Sequence, residues 1–81
     1  MKLIRDEFEN YAQGQGYESG EELFEYLGGN INSYITNKKQ IPISKETFTR
    51  ICWEIGISDA AEFIKFEPDE KELYRKIAEE F

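Results

Sequence analysis

Apolar residues recur along this chain at helical spacing almost from end to end. Ile4, Phe8, Tyr11 and Ala12 fall at i, i+4, i+7 and i+8, one stripe that predicts a first helix over about Lys2–Gln13. Gly14-Gln15-Gly16 ends it. Ser19, with Glu22 three residues later, has capping-box spacing and opens a second helix whose inner face is Leu23, Phe24 and Leu27. Gly28-Gly29 stops that helix, and Asn30 caps a short third one with Ile31, Tyr34 and Ile35 inward and Asn32, Ser33, Thr36 and Asn37 outward.

Lys38 to Ile43 reads as a loop, because Pro42 biases Ile41 away from helix. Ser44 caps a fourth helix with Phe48, Ile51, Cys52 and Ile55 on one face and Gly56 as its stop. Ser58 is expected to cap a fifth helix carrying Ala61, Phe63 and Ile64. Asp69, after Pro68 and three residues before Glu72, opens a last one with the stripe Leu73, Tyr74, Ile77, Ala78 and Phe81. No alternating run is long enough for a half-buried strand. The pattern predicts an all-α domain of five or six short helices over 1–81, with its core in about 2–66 and a C-terminal helix over 69–81. Phe8, Leu23, Leu27, Ile31, Ile35, Phe48, Ile51 and Ile55 are the expected core.

Composition supports a small core without a staple. Twelve of the 81 residues are aromatic, which gives unusual burial for so short a chain. Cys52 is the sole cysteine and there is no histidine, so neither a disulfide framework nor a zinc site is expected, and no cofactor is implied. Beside Ile51, Cys52 reads as a small buried hydrophobe. No segment approaches the length of a membrane span, and the charged N-terminus lacks a leader pattern, so a cytoplasmic protein is expected.

Charge changes the picture. The net charge is −7, yet it is unevenly spread. Lys38, Lys39, Lys45 and Arg50 face Glu46 alone within residues 31–53, while both flanking segments are strongly acidic. That middle segment is the one positive field available to draw a phosphate. The carboxylates lie in solvated runs such as Glu21-Glu22 and Glu79-Glu80, with no histidine or nucleophile–base pair. An enzyme is not expected.

Two-thirds of the chain resembles the Cro and lambda-repressor type of helix-turn-helix domain. Pro42 followed by Ser44-Lys-Glu-Thr-Phe-Thr-Arg-Ile-Cys-Trp-Glu-Ile-Gly56, then Ile57-Ser58, is similar to that family's fourth helix and its exit. Tyr34-Ile-Thr-Asn-Lys-Lys39 is similar to the end of its recognition helix and the loop beyond, and Glu21-Glu-Leu-Phe-Glu-Tyr-Leu-Gly28 to the helix before the turn. Only Gly29 and Asn30 separate Gly28 from Ile31, fewer than in the family, so the start of the recognition helix is curtailed. Asn37 stands where the family has glycine, a residue able to take the left-handed conformation.

The resemblance implies a DNA-binding regulator, of a size that suits a phage or mobile element, reading duplex DNA as a homodimer. Asn30, Asn32, Ser33, Thr36 and Asn37 would face the groove, where asparagine can pair with adenine; Lys38, Lys39 and Gln40 would follow the phosphates. The plain alternative is a solvated polar face. Arg50 lies at i+4 from Glu46, the spacing of an intrahelical ion pair. Tyr34 and Trp53 are stacking candidates, although packing at the core or its boundary explains both more simply. A competing function is an acidic protein-interaction module on the same fold, an inhibitor, antirepressor or DNA mimic whose acidic helices meet a basic protein partner.

Overall fold

A computed structural model describes residues 1–80; Phe81, expected in the last apolar stripe, lies outside the described residues. Leu3 is the residue around which the domain closes. It sits in β1 (Lys2–Ile4), the middle strand of a small antiparallel sheet, paired with Ile41 of β2 (Gln40–Pro42) and with Ile64 of β3 (Ile64–Lys65). All three side chains are buried. The strands are too short to show alternation, so the all-α expectation misses them. The first helix loses its N-terminal turn to β1, and Gln40–Pro42, within the expected loop, is strand. Pro42 fits there because β2 is an edge, with no neighbour to need its missing N–H.

Otherwise the chain is mostly helical, with α1 (Arg5–Gly14), α2 (Gly20–Tyr26), α3 (Ile31–Thr36), α4 (Lys45–Ile55), α5 (Ile57–Phe63) and α6 (Lys71–Glu80). Three caps are those the sequence predicts. Ser19 accepts from the Glu22 amide at 3.2 Å, Asn30 from Asn32 at 2.9 Å, and Ser44 from Thr47 at 3.1 Å. Two caps move. Gly56, at φ +94°, both ends α4 and starts α5, its carbonyl already accepting from Ala60, so Ser58 lies inside the helix. Glu67 and Glu70 form the last capping box around Pro68 and Asp69, so a short 3-10 turn (Pro68–Glu70) precedes α6.

The core is chiefly aromatic. Phe8 meets Phe63 at 5.3 Å and Phe24 at 6.1 Å, and Phe24 meets Tyr34 at 5.2 Å, which ties α1, α2, α3 and α5 together. Phe66 bridges Phe48 of α4 and Tyr74 of α6, at 5.4 and 5.2 Å. Leu23, Leu27, Ile51 and Cys52 are buried as expected. Ile31 and Ile55 are half-buried, and Ile35 is 45% exposed, so it leaves the expected core.

Candidate nucleic-acid interface

Two glycines with different tasks set the turn between α2 and α3. Gly28 takes φ +82°, which costs a residue with a side chain strain. Gly29 needs the space instead: a Cβ there would collide with the Phe24 ring, and the Gly29 amide bonds the Phe24 carbonyl at 2.9 Å. Four residues, Leu27–Asn30, therefore join the two helices. That is a length usual for helix-turn-helix pairs.

Tyr34 fixes which way α3 faces. Its ring is fully buried, and its hydroxyl donates to Glu9 Oε1 of α1 at 2.7 Å. The Arg5 guanidinium stacks on the same ring, 4.6 Å from its centroid, and donates to the Asn37 carbonyl at 3.4 Å. The Arg5 amide adds a bond to the Lys39 carbonyl at 2.9 Å. Burial, and then the Glu9 carboxylate, push the Tyr34 hydroxyl well above its ordinary range, with Arg5 opposing them. Tyr34 is thus a neutral internal donor and cannot stack on a base.

With Tyr34 inward, Asn32, Ile35 and Thr36 are exposed on the opposite side of α3, Ser33 and Asn37 are half-buried on its flanks, and Lys38 and Lys39 are exposed on the bend that follows. Gln40 is half-buried in β2, paired with Ile4, which sets it apart from the lysines. Several polar groups are spent internally. Asn30 accepts from Asn32 and Ser33; Thr36 Oγ1 donates to the Asn32 carbonyl at 2.8 Å; Asn37 Nδ2 donates to the Ser33 carbonyl at 2.8 Å. Asn37 does not take the left-handed conformation expected of it. Its φ of −98° and ψ of 104° lead the chain straight into β2, so no loop glycine is needed.

The sheet also joins cations that the sequence keeps apart. Lys2 and Lys65 are register partners on adjacent strands, both exposed on the outer face. Nothing in the local pattern announces this pair, nor the placing of Arg5 under the α3–β2 corner. Acidic groups are exposed on a different element: Glu21, Glu22 and Glu25 lie along α2.

Helix α4 departs from expectation at two surface positions. Trp53 is 66% exposed, not packed at the core boundary. Arg50 approaches Glu54 at 4.0 Å, its i+4 neighbour towards the C-terminus, and not Glu46. Cys52 is fully buried, and burial pushes its thiol up to about 11, so it behaves as packing and not as a nucleophile.

Among the described residues, no helix is long and apolar enough to cross a membrane. No protein-family model, curated protein or solved structure matches the chain.

Proposed function

We propose that this chain is a small DNA-binding regulator of the helix-turn-helix kind, without catalytic activity, that lays α3 in the major groove as a homodimer. The observation that carries this reading is the outer face of α3. Asn32, Ile35 and Thr36 stand clear of the domain, and Lys38 and Lys39 follow on an exposed bend. Asn32 supplies amide chemistry for a base edge, Ile35 an apolar contact for a thymine methyl, and the lysines countercharge for phosphate. The resemblance in residue order to the Cro and lambda-repressor type agrees with it, while the turn before α3 is shorter than in that family.

The acidic row Glu21, Glu22 and Glu25 on α2 favours a second reading. In a helix-turn-helix complex the helix before the turn crosses the DNA backbone, and three carboxylates there would meet phosphates. A basic protein surface would fit them instead.

Fluorescence anisotropy with mixed duplex DNA, at about 50 mM and at physiological salt, separates the two. The regulator reading expects retention at the lower salt that weakens steeply at the higher. An intact fold with no duplex binding at the lower salt would leave only the protein-partner reading.

A further inference from the structure

The outer face of α4 carries a projecting group at one end and a hollow at the other. Trp53 stands exposed on a shallow groove it shares with Lys45, Glu46, Thr49 and Arg50. About two turns back along the same face, Glu46 and Arg50 border a second depression of about 170 Å³, lined also by Leu27, Gly28 and Thr47. Gly28 lies at its rim, where a Cβ would meet nothing within 4 Å.

We propose that this face is the two-fold interface of a homodimer, in which two α4 helices run antiparallel and each Trp53 enters the depression of the second copy. A two-fold axis between positions 49 and 50 sets position 53 of each helix opposite position 46 of the other. Projection and hollow are therefore satisfied twice by one operation, the requirement for an isologous contact. Tryptophan and arginine are the side chains that most often anchor such contacts.

Charge selects the occupant. Along α4 the signs run Lys45, Glu46, Arg50, Glu54, which sum to zero in a chain of net charge −7. Two copies that repel through most of their surface can approach where the face is neutral. Reversing one helix against the other sets Lys45 opposite Glu54 of the second copy and leaves Arg50 within a turn of the second copy's Glu46. The intrachain Arg50–Glu54 contact, at 4.0 Å between exposed groups, is loose enough to be exchanged. A nucleic acid on this face would meet the Glu46 and Glu54 carboxylates instead.

Sedimentation velocity on the full chain without DNA, from micromolar to near-millimolar concentration, tests the proposal. The mass should pass from monomer to dimer. Trp53 is the chain's single tryptophan, so its emission should shift to the blue over the same range as the indole leaves water. Trp53→Ala should raise the dissociation constant by about 30-fold or more. Arg50→Glu should also weaken the dimer, and adding Glu46→Arg to it should restore association, because exchanging both charges preserves the pairing between copies. Circular dichroism of each variant checks that these exposed substitutions leave the fold intact. A chain that stays monomeric throughout overturns the proposal, as does a Trp53→Ala variant that dimerises unchanged or a charge exchange without rescue. A Trp53 emission that responds to single-stranded oligonucleotide and not to concentration overturns it too. Duplex binding by α3 is measured separately and is untouched by any of these failures.

Discussion

The Tyr34 hydroxyl and the Glu9 carboxylate, 25 positions apart, meet at 2.7 Å above the first residue of α2. Gly20 lies directly beneath them, and a Cβ on it would run into the Tyr34 hydroxyl and the Glu9 carboxylate. Three helices are thus keyed together at one point, and the orientation of α3 depends on it. Tyr34→Phe is expected to cost about 1.5–3 kcal/mol in urea denaturation, the range for a hydrogen bond to a charged acceptor. Gly20→Ala should normally stabilise a helix, yet here overpacking should cost about 1–3 kcal/mol. The double variant should recover part of that loss, and strict additivity would show that the two sites are not coupled.

Leu3 and Ile35 offer a paired test of the packing. Leu3→Ala, at a fully buried position in the central strand, should cost about 2–5 kcal/mol. Ile35→Ala, at a position 45% exposed, should stay within about 0.5 kcal/mol. Equal losses would place Ile35 back in the core.

Alkaline stability should report Cys52 and Tyr34. Both groups have folded pKa values above their ordinary ones, chiefly through burial. Such a group contributes stability that is fully present below its unfolded pKa and is lost as pH rises through the folded value. For Cys52 the window runs from the ordinary 9.0 to about 11. Urea midpoints should therefore fall across this range, and alkylation at about pH 8 should be much slower in the native chain than in urea. Equal alkylation rates would mean the thiol is not enclosed.

The acid side should depend on Glu70. Its carboxylate accepts from the Met1 ammonium at 2.6 Å and from the Glu67 amide at 2.9 Å, and these hold its pKa below the ordinary value. A depressed carboxylate stabilises above its unfolded pKa, and that contribution is lost as pH falls through the folded one. Glu70→Gln should flatten the acid limb of the stability profile. An unchanged limb would assign acid sensitivity to other carboxylates.

Contacts to DNA should separate by type. Lys38→Ala with Lys39→Ala should weaken all duplexes alike and make the slope of log K against log salt shallower by about 1 for each phosphate no longer neutralised. Asn32→Ala should change which duplex is preferred. Binding indifferent to both would move the interface away from α3.

Where a feature rests on residues near in sequence, the chain announces it. Ser19, Asn30 and Ser44 cap helices because the partner amides lie two or three positions away. The sheet is hidden, because Leu3 owes its role to Ile41 and Ile64, and strands of two or three residues carry no period. In the single turn and a half of α3, Tyr34 and Ile35 compete for the inner side. Periodicity cannot rank them, and the remote Glu9 and Arg5 decide. Of the proposed interface, the exposure of Asn32, Thr36, Lys38 and Lys39 is readable from polarity. The inward turn of the Thr36 and Asn37 side chains onto carbonyls is not, since polar residues on a short helix have backbone acceptors within reach.

The strand order β2-β1-β3 has a kinetic meaning. β1 is the middle strand and precedes both partners in the sequence, so during synthesis its two edges stay bare until Ile41, and then Ile64, have been made. Helices α1 to α3 can gather around Phe8 and Tyr34 beforehand, because their contacts are comparatively local. The sheet must wait for closure of two long loops, and contacts of that separation slow folding more than they alter stability. Substitutions in β1 should therefore act mainly on how fast the folded chain comes apart, with the helical cluster setting how fast it forms.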